Sequence, residues 1–505
     1  MIQNILCYLE ASEKAYPDKP AFSDEHAALT YKELLSLSRR IGSFLGRKTG
    51  PRRPIPVMTE KNAYTLGAFM GIVHAGCFYI YLDAGQPAKR LNRILDTLQA
   101  DIMIADSPSL KEAGPISFAG EILDMGMLLS LGSDAQDPLL LASIRGQAMD
   151  TDPLYGIFTS GSTGAPKGVV VGHRSVIDFM EHFTEMFHIT SRDVIGNQAP
   201  FDFDVSVKDI YSTLKTGASM EIIPKRLFSI PTGLLDYLCY RKITTAIWAV
   251  SALCIITTLN GFTYRVPEHL DKILFSGEVM PVKHLNAWRS HLPGAMFVNL
   301  YGPTEITCNC TYYVVDRDFE PGSPIPIGLP FPNEKVFLLD EDDRLITAPG
   351  TCGELCVSGT ALALGYYRDK EKTGASFVQN PLNQDYPETI YRTGDMAYYG
   401  EDGLLYYHAR RDFQIKHMGH RIELGEIEAA LETVSGVGRA VCIFLEEKNK
   451  IAAFYEGDAD KKMIAAGLEH LLPRYMFPNR YMNLPALPLT KNGKVDRQAL
   501  RRLYG

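Results

Sequence analysis

Four short segments of the chain gather residue types suited to a phosphorylated ligand. The first, Phe158-Thr-Ser-Gly-Ser-Thr-Gly-Ala-Pro-Lys-Gly168, holds three glycines and four hydroxyl residues in eleven positions and follows the apolar run 154–158. A strand ending in such a loop can turn several backbone N–H groups and hydroxyls toward one anion, and Lys167 adds a point charge. The loop is not a Walker A motif, and Ser162 does not sit in a GxSxG elbow. The second segment, Asn299-Leu-Tyr-Gly-Pro-Thr-Glu305, follows an apolar strand, at whose end α/β ligand sites usually open. There a Tyr face can stack on a base, a Thr hydroxyl can hold a phosphate oxygen, and Glu305 offers Mg²⁺ a hard oxygen ligand. In the third, Tyr391-Arg-Thr-Gly-Asp395, a carboxylate can take two ribose hydroxyls. In the fourth, Thr490-Lys-Asn-Gly-Lys-Val-Asp-Arg497, a turn presents a lysine. Taken singly, each has a plainer alternative, such as a Gly/Ser surface loop or a Gly-Pro turn.

These segments need a scaffold. At 505 residues, 46% apolar and 22% charged, the chain can form about three domain-sized units and is far from disordered composition. Its formal charge of −8 supplies no global field for nucleic acid or an anionic membrane. The nine cysteines form no CxxC pair, so neither a zinc ribbon nor a dithiol redox site is indicated. Reduced thiols and a start without a basic and then apolar leader predict a cytoplasmic chain. Residues 62–82 carry no formal charge, but their spacing changes from helical to strand-like, which predicts a buried helix leading into a strand and no membrane insertion.

Apolar spacing predicts a helix over 30–45 and a strand over 100–105. Further strands are expected at 220–224, 244–250 and 295–299, with helices at 234–241 and 282–291. Such alternation favours parallel sheets covered by helices. After about residue 324 short strands between turns predict antiparallel hairpins, and from 413 a helix at 424–433 opens a compact α+β unit. The expected fold class is α/β: a large N-terminal domain, 1–411, of helix-covered sheets plus a β-rich subdomain, and a small C-terminal domain, 412–505.

Together TSGSTGAPKG, YGPTE, YRTGD, ARRDFQIKHMGHRIELGEIE and NGKVDR, in this order and spacing, resemble the adenylate-forming superfamily. That superfamily includes acyl-CoA synthetases, luciferases and the adenylation domains of peptide synthetases, and the likeness covers essentially the whole chain. It implies a mobile C-terminal lid hinged at Asp412 and a reaction in two halves. A substrate carboxylate attacks the α-phosphorus of ATP, giving an acyl-AMP, and a thiol then takes the acyl group. By the same likeness, Thr159, Ser160, Gly161, Thr163, Gly164 and Lys167 hold the β- and γ-phosphates. Asn299, Tyr301, Gly302 and Thr304 line the nucleotide site, Glu305 binds Mg²⁺, and Asp395 and Arg410 hold the ribose. Lys494 bridges the reacting anions in the first half; Lys416 and Gly419 face the site in the second.

NQAPFDFDVS resembles the amino-acid-activating branch, in which Asp204 neutralises the substrate ammonium. A helix-capping aspartate is the plainer reading of that residue. Val205, Lys208, Ala249, Leu274, Ser276, Gly277, Leu300, Cys308 and Asn309 are expected to complete the substrate pocket. The nearest likeness is to members that activate D-alanine for lipoteichoic acid biosynthesis, so the expected partners are a small amino acid and a phosphopantetheinylated carrier protein. No carrier segment follows the lysine turn, and a free-standing enzyme is expected. Lys208, one helical turn beyond Asp204, complicates the substrate. Pointing outward or paired with Asp204, it leaves a small neutral pocket; pointing inward, it suits an acidic amino acid. An acyl- or aryl-CoA synthetase would be indifferent to Asp204, and a non-catalytic nucleotide-binding protein would not need Lys494, Glu305 and Thr163.

Overall fold

The computed structural model describes residues 2–160, 166–411, 414–445, 448–489 and 495–504. Among these residues the chain forms five sheets, of which two large ones carry most of the polypeptide. The centre of the nine-stranded sheet is parallel: Lys272–Ser276 lies between Thr245–Ala249 and Met296–Tyr301, in the register Leu274 beside Ile247 and Val298. Antiparallel strands, Thr311–Val314 and Ala28–Thr30, occur toward its edges. The seven-stranded sheet likewise has parallel strands around Pro54–Met58 and an antiparallel pair, Pro153–Thr159 with Lys167–Gly172. Both large sheets thus have parallel centres, as the strand and helix alternation predicts.

The predicted helix at 30–45 runs from Tyr31 to Gly46, started by a capping box in which Thr30 and Glu33 exchange hydrogen bonds. The uncharged stretch at 62–82 is a buried helix, Ala63–His74, followed by the strand Phe78–Tyr81. No helix among the described residues is long and apolar enough to cross a membrane. The two helices meet at glycines: a Cβ on Gly71 would stand 2.5 Å from Ile41 Cγ2, and one on Gly42 would stand 2.4 Å from His74 Cβ. Their core continues into the sheets, where Phe69 stacks on Tyr79 at 4.1 Å.

Beyond residue 330 the strands Glu334–Leu339, Gly353–Gly359, Thr389–Tyr399 and Leu405–Arg410 pair antiparallel, as expected from their turn-rich sequence. The remainder begins with the hairpin Gln414–His417 and His420–Glu423, which runs directly into the helix Leu424–Glu432. A three-stranded sheet and the helices Lys461–Glu469 and Arg497–Tyr504 follow. Two apolar clusters there, one around Ile422, Ile427 and Phe444 and one around Val441, Phe454 and Leu500, draw all their members from residues after 414.

Candidate active site

Residues of the first three segments line one cleft, between the C-terminal ends of the large sheets' strands and the hairpin 414–423, and residues 490–494 of the fourth lie outside the described residues. Each side chain reaches it for a local reason. Thr159 ends the strand Pro153–Thr159, is paired in register with Lys167 on the returning strand, and lines the cleft. Its hydroxyl is buried and has no hydrogen-bond partner among the described residues. Ser160 lines the cleft as well. Gly161, Thr163 and Gly164 lie outside the described residues.

Strand Met296–Tyr301 delivers the second segment. Asn299 Nδ2 donates to the Pro326 carbonyl at 2.8 Å, which fixes the segment to the next loop. At Gly302 a Cβ would lie 2.5 Å from the Asn309 Cα, so the backbone can pass here only without a side chain. Thr304 and Glu305 follow in a single 3-10 turn. Asp395 and Arg410 are cross-strand neighbours, and Arg410 Nη1 donates to Asp395 Oδ1 at 2.9 Å. The Tyr301 hydroxyl donates to the other oxygen of the same carboxylate.

Glu305 is fully buried, and three donors hold it. Lys167 Nζ lies 3.0 Å and the Tyr366 hydroxyl 2.7 Å from Oε1, and Arg421 Nη1 lies 2.7 Å from Oε2. Burial disfavours its charge, but the Arg421 and Lys167 cations outweigh that and keep its carboxyl well below the usual range. As a hard oxygen donor it suits Mg²⁺, an ion that takes one or two carboxylates and completes its shell with phosphates and water. Among the described residues no group of three or more His, Cys, Asp or Glu side chains is placed to hold a metal. Both Glu305 oxygens accept hydrogen bonds here, so a Mg²⁺ at Glu305 would compete with Arg421 for Oε2.

Asp204 stands at the start of the helix Val205–Thr216, but its side chain makes no capping hydrogen bond and lines the cleft instead. Burial raises its pKa, offset by the Thr304 hydroxyl and by the Lys208 and Lys416 cations. Val205, Ser276, Gly277, Cys308 and Asn309 share the cleft wall with it. Leu274 and Leu300, expected in the substrate pocket, are instead buried in the hydrophobic core behind that wall. Ala249 meets the hairpin: a Cβ on Gly419 would stand 3.2 Å from Ala249 Cβ.

Lys208 takes neither the outward nor the Asp204-paired placement: it is 0% exposed, and Nζ donates to Asn309 Oδ1 at 2.7 Å and Ser276 Oγ at 3.4 Å. The helix it belongs to is buried on nearly all sides, so a side chain one turn beyond Asp204 has no route outward. Burial lowers its pKa, countered by the nearby Cys308, Asp204 and Asp209.

The hairpin closes the cleft. Lys416 Nζ sits 5.4 Å above the Tyr301 ring, and the Gly419 N–H donates to Glu278 Oε1 at 2.8 Å. Lys494 and Asp412 lie outside the described residues. Two contributors escaped the sequence reading: Arg421 sits inside a matched segment as one charge among many, and Tyr366 carries no local signal.

A family model described as "AMP-binding enzyme" matches residues 9–367. The chain is 34% identical over 498 residues to tyrocidine synthase 3 of Brevibacillus parabrevis, which covers 96% of the chain but only 7% of that relative. It is 32% identical over 493 residues to a D-alanine–D-alanyl carrier protein ligase of Staphylococcus haemolyticus, covering 95% of each. The solved structure of holo-PA1221, an NRPS protein containing adenylation and PCP domains, superposes with a TM-score of 0.83 at 24% identity, covering 99% of this chain and 84% of that one. This last likeness is one of fold.

Proposed function

The chain belongs to the AMP-binding enzyme family, and from that premise we propose that it activates an amino acid with ATP and passes the aminoacyl group to the phosphopantetheine thiol of a carrier protein. The observation that carries this reading is Asp204, a carboxylate that lines the cleft and makes no ion pair within 4 Å among the described residues. A substrate ammonium supplies the missing partner, and a fatty or aryl acid does not.

The substrate carboxylate is already a nucleophile at neutral pH, so the first half needs alignment and charge neutralisation rather than a general base. Asp204 anchors the ammonium and so fixes the carboxylate end. Thr159, Ser160 and Lys167 hold the β- and γ-phosphates, Thr304 the α-phosphate, and Asp395 with Arg410 the ribose. Glu305 and the phosphates would hold Mg²⁺, which neutralises phosphate charge when bound. Lys494 bridges the two reacting anions. For the second half we propose that residues 412–505 rotate as a lid about Asp412. That motion replaces Lys494 with the hairpin face around Lys416 and Gly419, the arrangement described above.

Two side chains fit the substrate. D-Alanine is supported by the relative of matching length and by the small residues Ser276, Gly277 and Cys308 on the cleft wall. Lys208 supports the second: its ammonium lies directly behind Asn309 and Ser276 without a carboxylate within 4 Å among the described residues, which suits glutamate or aspartate. The test is ATP–pyrophosphate exchange across D-Ala, L-Ala, Gly, Ser and both enantiomers of Glu and Asp. Exchange should depend on an amino acid and fall roughly 10³-fold in Asp204→Ala, the scale of unpairing a buried charge. In Lys208→Met a D-alanine signal should persist, whereas an acidic-substrate signal should vanish. Exchange driven by a fatty or aryl acid and indifferent to Asp204→Ala would overturn the proposal.

A further inference from the structure

Arg90 forms a buried ion pair that the scheme above does not use. It lies in the first turn of the helix Ala88–Leu98, and its Nη1 donates to Oε1 of Glu426 at 2.5 Å, with both side chains 6% exposed. The two residues are 336 positions apart: Arg90 belongs to the large sheets' covering helices, Glu426 to the helix that continues the cleft hairpin.

Each partner is held from its own side. Arg90 Nε donates to Gln86 Oε1 at 3.1 Å, and Gln86 Nε2 donates to Asp202 Oδ2 at 2.9 Å, two residues before Asp204. The guanidinium is thereby aimed before Glu426 arrives. Glu426 sits in the first turn of the helix Leu424–Glu432, where the helix dipole favours an acid, and this turn begins directly after the strand that carries Arg421. Burial raises the Glu426 carboxyl pKa, and Arg90 and the Ser160 hydroxyl work against that rise. Its Oε2 has no hydrogen bond among the described residues. The pair is therefore the principal polar restraint on that carboxylate.

The mechanical consequence follows from connectivity. Fixing Glu426 fixes the hairpin residues five to ten positions upstream, which places Lys416, Gly419 and Arg421 in the cleft. Any rotation about Asp412 that withdraws the hairpin carries Glu426 away from Arg90, which stays with its own helix. On the lid rotation proposed above, the pair therefore belongs to the orientation in which the hairpin fills the cleft.

Resting on the reading given under Proposed function, we propose that Arg90 is a positioning residue for the second half-reaction: by pairing with Glu426 it selects the lid orientation that admits the thiol, and it plays no part in adenylation. Losing one member of a buried pair disfavours that orientation strongly, because the other charge stays buried and unpaired.

The test uses the full chain, with ATP–pyrophosphate exchange for the first half and free pantetheine as acceptor for the second. Arg90→Met should leave exchange within about twofold of the unmodified protein while transfer falls roughly 100-fold. The charge swap, Arg90→Glu with Glu426→Arg, should transfer at least roughly tenfold faster than Arg90→Glu alone, which a merely structural role would not produce. A fluorophore pair, one on residues before 411 and one after 414, reads orientation in the ligand-free protein without any turnover. Arg90→Met should broaden its distance distribution. Equal loss of both half-reactions, a swap no better than the single variant, or an unchanged distance distribution would each overturn the assignment. Failure of exchange in the unmodified protein would instead overturn the adenylation reading, while the distance measurement would still judge the pair.

Discussion

The two walls of the cleft are built on opposite rules. The wall formed by residues before 411 is the polar edge of a continuous apolar core: Asp204, Ser276 and Asn309 stand directly in front of Leu274, Leu300 and Val298, and the helices behind pack closely enough to require Gly42 and Gly71. The facing wall, the hairpin 414–423, meets it through charges, amide donors and rings. Arg421 contacts Glu305, the Gly419 N–H contacts Glu278, Lys416 lies over Tyr301, and the His420 ring meets Phe203 edge-on at 4.6 Å. The apolar clusters after 414 are self-contained. Apolar interdigitation resists sliding, whereas a few polar contacts can be exchanged for water or a ligand's phosphates at small net cost. On the proposed function, the first wall is the one that holds the substrate and the second is the one that leaves it.

The comparison sharpens first at Gly419. Its φ of +80° lies in the left-handed region that favours glycine, and a Cβ there would press on Ala249 at 3.2 Å. Gly419→Leu should cut thiol transfer roughly 100-fold and leave ATP–pyrophosphate exchange nearly intact, as measured on the two half-reactions separately. Loss of exchange to the same degree would mean that the hairpin belongs to the fixed wall. A smaller effect is expected behind the first wall. In Gly71→Ala the new methyl meets Ile41 at 2.5 Å and the Ser38 carbonyl at 3.3 Å, so overpacking should cost about 1–3 kcal/mol and lower Tm by a few degrees. Both half-reactions should keep their ratio in that variant. A changed ratio without a changed Tm would break the separation between packing and lid contact.

How much of this was legible in the sequence follows the same division. The scaffold was readable because strand and helix periods are local: 62–82 announced a helix and a strand, and the apolar spacing of 30–45 announced a helix. The phosphate-loop and YGPTE segments were readable because glycines and hydroxyls cluster within a few positions. Contacts between distant segments were not. Lys208 was visible as one turn from Asp204, but whether it faced in or out depended on how deeply its helix is buried, which no local pattern states. Arg421 on Glu305, Tyr366 beside them, and Arg90 on Glu426 each join segments from 61 to 336 residues apart. The placement of Leu274 and Leu300 erred for a related reason. In a strand buried on both faces, alternation no longer tells which side faces the ligand.

The central claim is that a fixed wall and a departing wall serve two reactions in one cleft. Asp412→Pro tests it most directly, because proline fixes φ at the one position expected to turn. Exchange of labelled pyrophosphate into ATP and loading of a phosphopantetheinyl acceptor should be measured on the same preparation. The account predicts that one of these survives at close to the unmodified rate, adenylation, and that loading falls by at least roughly 100-fold. Equal loss of both, or no loss of either, would contradict it.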